Sequence, residues 1–419
     1  MPASASICDS YIAPTLVGGY SAERCLLTHT RPSNRRCADG YVLGAYMPAV
    51  WNLSRLQPSG LRKTVEDLFS ECDIRIDGNG PCDIRVFHEA FYARVLAHGS
   101  LGFGESYMAG WWDTRDLEEL VYRLLKARLD ERVRTWRGFI AYCTARAFNL
   151  QRRSRAFEVG ERHYDIGNDL YQRMLDRRMI YSCGYWETAR TLEEAQEAKL
   201  RLVFRKLALQ PGQRILDVGC GWGGALRFAA EEHGVEGVGI TVSREQAVFA
   251  TKLCEGLPIA IRLQDYRDLN GQFDHIYSIG MFEHVGPKNY RTYMKTLRRC
   301  LRPGGRLLLH TIGANRAIGR SDPWINKYIF PNSKLPSKEQ ISRAIDGLFA
   351  ASHVQSIGSH YVQTLREWRR NFERHWPALK ERRDATFYRM WRFYLCASAA
   401  SFRAENNDVW QFLLTPIAA

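Results

Sequence analysis

Arg214-Ile215-Leu216-Asp217-Val218-Gly219-Cys220-Gly221-Trp222-Gly223-Gly224 is an apolar run that ends in four glycines among six residues and then passes into Ala225-Leu226-Arg227-Phe228-Ala229-Ala230. The pattern predicts a buried strand, a tight turn and a helix. Glycine lets a backbone approach a ligand where a side chain would collide, and the free N–H groups of a helix start favour an anionic group. A nucleotide-like cofactor is the natural occupant of such a turn.

Working outward, the chain keeps alternating. Strands are expected over 234–241, 259–264, 273–279 and 306–311, with helices over 192–207, 244–254 and 290–301. Regular alternation implies an α/β fold, a parallel sheet with helices on both faces. Ligands of such sheets sit at the strand C-termini. Asp217, Thr241, Asp265, Glu283 and His310 are therefore expected along one edge.

The spacing Gly219-x-Gly221-x-Gly223 is not the G-x-G-x-x-G of dinucleotide binders. With Asp217 ahead of it, the order is similar to that of class I S-adenosylmethionine (SAM) methyltransferases, whose Rossmann-like fold it implies. The cofactor would then bring a carboxylate and an amine, not a pyrophosphate.

A chain of 419 residues favours two domains. The net charge is +14, and +13 of it lies in two segments. Residues 122–162 hold eleven basic and four acidic side chains, and 362–403 hold ten and four. Such clusters suit an anionic surface, phospholipid headgroups or nucleic acid. No nucleic-acid module or base-extrusion motif accompanies them, which argues against nucleic acid as a partner. The 11 cysteines form no C-x-x-C pair, so a reduced cytosolic setting is expected. No uncharged apolar run approaches membrane-spanning length, and any membrane contact must be peripheral.

Residues 1–58 read as an irregular extension without the features of a signal peptide. Residues 59–122 predict a smaller N-terminal α/β domain for lipid or dimer contacts. It has a helix starting at Thr64, a short strand Ile74-Arg75-Ile76, a helix over 87–96 and an amphipathic stretch over 117–129. Between them, Trp111 and Trp112 close a glycine-rich loop over 99–113; burial between domains and insertion into lipid are both open to them. A basic helical linker over 123–160 leads to a catalytic domain over 161–419.

Several further stretches go beyond what plain helices and strands need: His163–Leu170, Tyr181-Ser182-Cys183-Gly184-Tyr185-Trp186, Gly280-Met281-Phe282-Glu283-His284-Val285-Gly286-Pro287, His310-Thr311-Ile312-Gly313 and Asp322-Pro323-Trp324-Ile325-Asn326-Lys327-Tyr328. With the glycine turn and Gly99–Trp112, they make the chain from about 60 to 412 resemble the bacterial cyclopropane-fatty-acyl-phospholipid synthases. The resemblance implies a homodimer, cytoplasmic and peripherally bound to the inner membrane. It would move a methylene from SAM onto the cis double bond of an unsaturated phospholipid acyl chain. It also implies that Tyr181, Ser182, Gly219, Gly221, Thr241, Ser243, Gln246, Gln264, Asp265 and Ile279 surround SAM. Methyltransferases at large end the second strand in an acid; here Thr241 and Gln246 would supply the polar contacts, as is typical of these synthases.

For the chemistry, the resemblance puts Cys183, Glu283, His310, Ile312 and Tyr361 around a bound bicarbonate, the residue at 312 through its backbone. An alkene that attacks the sulfonium methyl leaves a carbocation, which closes to a ring only after losing a proton. A small base beside the cation serves both to remove the proton and to stabilise the charge. Glu283 next to bicarbonate makes a pair that shares a proton, and Tyr361 can offer a hydrogen bond and a π face. Cys183 is assigned no nucleophilic role. The Glu283-His284 pair has no partner ligand at i+4 spacing, so no metal is expected. By sequence alone Tyr361 passes for a strand aromatic. The nearest rival is a SAM-dependent olefin methyltransferase that takes the same cation to methyl-branched or methylene acyl chains.

Overall fold

The computed structural model describes residues 58–129, 167–315 and 322–417. The N-terminal extension, most of the basic linker and the His163–Ile166 start of one quoted motif lie outside the described residues. The N-terminal segment holds α1 (Pro58–Ser70), α2 (Ala90–Met108) and α3 (Leu117–Lys126), with a two-residue pairing of β1 (Arg85–Val86) and β2 (Trp112–Asp113). Asp116 caps α3, its carboxylate accepting from Glu119 N.

Two expectations change here. The strand at Ile74–Ile76 is reduced to one bridge, Ile76 to Ile84, because Asp73 and Asp77 on either side adopt positive φ (54° and 55°) and end the extended run. The glycine-rich stretch over 99–113 is mostly helix and not loop. α2 kinks at Gly99 (φ 56°, ψ −132°) and continues to Met108. Gly104 serves close packing, since a Cβ there would lie 2.4 Å from the Trp324 indole. Trp112 is fully buried, stacks on Phe103 at 4.3 Å and donates to Ser106 Oγ at 3.0 Å. Trp111 stays partly exposed, stacked on His88 at 4.6 Å with the Arg94 guanidinium 4.9 Å away.

Short α4 (Asn168–Met174) is followed by α5 (Leu192–Leu207), which opens with a capping box between Thr191 and Glu194. Then the alternation begins: β3 (Arg214–Val218), α6 (Gly224–His233), β4 (Glu236–Thr241), α7 (Arg244–Leu253), β5 (Ile259–Leu263), β6 (Phe273–Ile279), α8 (Tyr290–Cys300) and β7 (Leu301–Ala314). After them come α9 (Pro323–Tyr328), α10 (Lys338–Ile345), β8 (Phe349–Ser356), α11 (Gly358–Leu379), α12 (Ala385–Arg403) and β9 (Asn407–Pro416). The seven strands line up as β5-β4-β3-β6-β7-β9-β8. The first five are parallel, and β9 inserts antiparallel between β7 and β8.

Both faces of this sheet are covered. Leu216 and Val218 of β3 and Leu307 and Leu309 of β7 enter one core, whereas Ile215 and Leu308 enter the other. That two-residue alternation is what a buried strand must show when helices lie on both sides.

α11 and α12 pack together, and the N-terminal segment is held to them by ion pairs. Arg366 grips Glu118 (Nε to Oε1, 3.0 Å), Arg403 meets Glu119 at 2.7 Å, and Arg389 meets Asp113 at 2.9 Å while lying 3.9 Å over the Tyr107 ring. Part of the second basic cluster is therefore engaged in ion pairs within the protein. Arg369 approaches Glu118 at 3.6 Å and Arg370 pairs with Glu367, leaving Arg374 among the exposed members. Among the described residues no helix is long and apolar enough to cross a membrane.

Candidate active site

The glycine turn after β3 has positive φ at Gly219 (92°), Gly221 (53°) and Gly223 (85°), a conformation that L side chains rarely adopt. A Cβ on Gly219 would come within 2.7 Å of Met281 Cβ, while one on Gly221 would meet nothing within 4 Å. The turn thus passes close under Met281, two residues past β6, and opens toward a cavity.

That cavity is lined by Tyr181 and Ser182, Gly219 and Gly221, Thr241 and Gln246, Gln264 and Asp265, and Ile279. Nine of the ten cofactor candidates thus come together at the strand C-termini. Ser243 is not among the lining residues. It caps α7, its Oγ accepting from Gln246 N at 3.3 Å. Thr241 Oγ1 in turn donates to Gln246 Oε1 at 2.9 Å and accepts from Ser243 N at 3.2 Å, so these three residues brace one another. Asp265 is buried and paired with Arg267 at 2.8 Å.

Residues outside the ten cofactor candidates also line the cavity: Lys199, Trp222, Met281 and His284. Lys199 is fully buried, and its Nζ donates to Ser182 Oγ at 3.0 Å while Gln196 Nε2 donates to Ser182 O at 2.8 Å. Burial lowers the Lys199 ammonium to about 8, although Asp176, Cys183 and Asp217 act in the opposite sense. Burial likewise raises the Asp217 carboxyl to about 7. A signal for Lys199 existed. Gln196 and Lys199 interrupt the stripe Leu192, Ala195, Leu200, Val203, Phe204, Leu207, which otherwise buries the apolar face of α5.

The five candidates for chemistry come from four separate pieces of chain, and one hydrogen bond joins two of them directly. Ile312 N donates to Glu283 Oε1 at 2.6 Å. Ile312 lies opposite Val409 in the β7–β9 pairing, and Val409 O accepts from Ile357 N at 2.8 Å. Cys183 Sγ donates to Gly184 O at 3.2 Å and lies 3.7 Å from Ile357 O, and Tyr361 sits one turn further along α11. Tyr361 is therefore helical, not a strand aromatic. Its ring packs on Phe402 at 4.7 Å and edge-on to Trp368, whose other neighbour is the Tyr181 ring at 5.0 Å. His310 lies two residues before Ile312 on β7, paired with Ile279 of β6.

The electrostatics are those of a dry site. Burial raises the Glu283 carboxyl to about 7, opposed by hydrogen bonds from its own backbone, from Ile312 N and from the Thr311 hydroxyl. Its second oxygen, Oε2, is buried without a protein partner. Burial pushes the Cys183 thiol up and the His310 imidazole well below its ordinary value. The N–H at 312 is committed to Glu283 Oε1, and Glu283 Oε2 stays open to an added group. A carboxyl that can hold a proton near neutrality, with one orphaned oxygen, fits a small oxyanion such as bicarbonate. The glycine cradle and the buried Lys199 beside it fit a cofactor that carries a carboxylate.

The fold and the site together define a class I SAM-dependent methyltransferase. A family model described as mycolic acid cyclopropane synthetase matches residues 151–412, and the chain belongs to that family. Among curated proteins, the cyclopropane-fatty-acyl-phospholipid synthase of Escherichia coli is 47% identical over 354 residues, 84% of this chain and 93% of its own. The tuberculostearic acid methyltransferase UfaA1 of Mycobacterium tuberculosis is 33% identical over 349 residues, 78% of this chain and 81% of its own. Among solved structures, the cyclopropane synthase MmaA2 of Mycobacterium tuberculosis superposes with TM-score 0.59 at 33% identity. It covers 62% of this chain and 97% of its own. The mycolic acid cyclopropane synthase CmaA1, complexed with SAH and CTAB, gives TM-score 0.58 with the same identity and coverage.

Proposed function

We propose that this protein converts cis-unsaturated acyl chains of membrane phospholipids to cyclopropane chains, with SAM as one-carbon donor and bicarbonate as the proton acceptor. The observation that carries the reading is Glu283, a buried carboxyl raised to about 7 whose Oε1 is tied to the backbone and whose Oε2 is orphaned. Support for a phospholipid comes from the extent of similarity. The Escherichia coli synthase is matched over 84% of this chain, the solved enzymes MmaA2 and CmaA1 over only 62%.

When bound, SAM supplies an electrophilic methyl and bicarbonate a weak base. The chain's own work is to hold them. The glycine turn with Tyr181, Ser182, Thr241, Gln246, Gln264, Asp265 and Ile279 holds the cofactor, with Ser243 acting behind Gln246. Glu283 Oε2 shares a proton with the anion, so the pair carries one negative charge and not two. His310 and Tyr361 orient the anion by hydrogen bonds, and the aromatic group of Tyr361, Trp368 and Tyr181 offers π faces to a cation on the acyl chain. Cys183 closes the wall as a neutral thiol. On the same reading the enzyme is a homodimer bound peripherally to the cytoplasmic side of the inner membrane, and the basic segment over 122–162 supplies charge for that contact.

The test is mass spectrometry of fatty acids after incubation with SAM and vesicles of a cis-unsaturated phospholipid. A gain of one CH₂ with loss of alkene reactivity is expected. A gain of CH₂ with the alkene retained would assign methylene or branched products instead, and no gain would refute the activity.

A further inference from the structure

Behind His310 lies a row of polar side chains that the mechanism above leaves unused. β7 pairs with β9 so that His310 is opposite Gln411, and β9 pairs with β8 so that Gln411 is opposite Gln355. Opposite residues project to the same face of a sheet, so the three side chains form one line across three strands. Lys206, in the last turn of α5, closes the line. Its Nζ lies 2.6 Å from Gln411 Oε1 and 2.6 Å from Gln355 Oε1. Gln411 is fully buried, and its Nε2 lies 3.2 Å from His310 Nδ1.

The direction of each bond follows from what each group can do. An ammonium has donors only, so the Gln411 atom that faces Lys206 is the amide oxygen; the flipped amide would set NH₂ against NH₃⁺. The Gln411 NH₂ then faces His310, and it can only donate. Nδ1 must accept, and a neutral imidazole carries its single proton on the other nitrogen. His310 is kept neutral by burial, with the nearby ammonium groups of Lys199 and Lys206 acting in the same sense.

We infer that Lys206 and Gln411 form a relay that fixes His310 as the Nε2–H tautomer and so makes it a hydrogen-bond donor toward the reacting site. The opposite tautomer would turn a lone pair toward a bound anion and repel it. Both are positioning residues, acting through His310. The inference rests on the role proposed for His310, but the tautomer itself can be read without any turnover.

The experiment is histidine ¹⁵N NMR of the full chain, with the His310 signals identified by their loss in His310→Gln, alongside product formation and calorimetric SAM affinity. The wild type is expected to show Nε2 protonated and Nδ1 as acceptor. Gln411→Glu replaces the donor NH₂ with a carboxylate oxygen of the same shape and is expected to put a proton on Nδ1. Lys206→Met frees the Gln411 amide to rotate, so a mixture of tautomers and a roughly tenfold loss of product formation are expected, with SAM affinity within about twofold. Lys206→Arg keeps a donor in place and is expected to restore both signals and rate; this pair carries the test should Gln411→Glu not fold. A wild type with Nδ1–H, or a His310 spectrum unmoved in both Lys206→Met and Gln411→Glu, would overturn the relay. A shifted tautomer with undiminished product would overturn the donor role, and with it the function proposed for His310.

Discussion

Glu283 carries two predictions at the level of a single side chain. Glu283→Gln is expected to lower ring formation by about 10²–10⁴-fold, the usual weight of a positioned acid–base group, with SAM affinity within about twofold. Product analysis and calorimetry check this, and an equal loss of both would remove Glu283 from the chemistry. The second prediction concerns stability. A carboxyl whose folded pKa is raised, here from 4.5 to about 7, stabilises the fold fully below the lower value. That contribution is lost as pH rises through about 7. Glutamine cannot ionise, so between pH 5 and 8 the variant's Tm is expected to fall by about 2–5 °C less than that of the wild type. Parallel melting curves would show that Glu283 is not held in a dry site. Glu283 was legible from its place after a strand and its motif, but its orphaned oxygen was not, because burial is set by what later packs over it.

Among the structural elements, the β3–α6 turn was the most readable, since three glycines with positive φ announce themselves by composition. Gly219→Ala tests it. The substitution strains the backbone by about 1–2 kcal/mol and drives a methyl against Met281, so SAM affinity is expected to fall about tenfold or more, measured by calorimetry. Unchanged affinity would take the turn out of the cofactor site. The stretch over 99–113 was misread for the same reason that the turn was read correctly. Glycine marks turns and also marks close approaches, and Gly104 in α2 is small because the Trp324 indole lies against it. Tyr361 was similarly ambiguous, because residues 358–363 hold too few apolar positions to separate helix from strand.

Across the whole molecule, the contact between the N-terminal segment and helices α11 and α12 turns on Glu118. This buried carboxylate faces Arg366, with Arg369 at 3.6 Å and Arg403 at 4.0 Å. Removing it leaves Arg366 and Arg369 converging on one spot without that acid, while Arg403 keeps Glu119 at 2.7 Å. Glu118→Ala is expected to destabilise the fold by about 3 kcal/mol, read as a lower urea midpoint. A midpoint within error of wild type would mean that the ion-pair group does not hold the segment. Reversing Arg366 is likewise expected to lower Tm, since this arginine serves the fold; vesicle binding is expected to respond instead to charges in the segment over 122–162.

Local order along the chain was enough for the α/β alternation, the cofactor turn and the line of candidate residues at the strand ends. Each depends on residues within one strand, one turn or one helix, where periodicity and glycine content act directly on the backbone. Other features exist only once the sheet closes. β9 comes last among the strands yet lies between β7 and β8, and this insertion alone sets Gln411 between His310 and Gln355 and Val409 beside Ile312. The partners of the arginines in 362–403 are decided in the same way. A charge cluster reads as surface in one dimension, and it becomes an internal clasp when acids some 250 positions earlier, such as Glu118, fold against it.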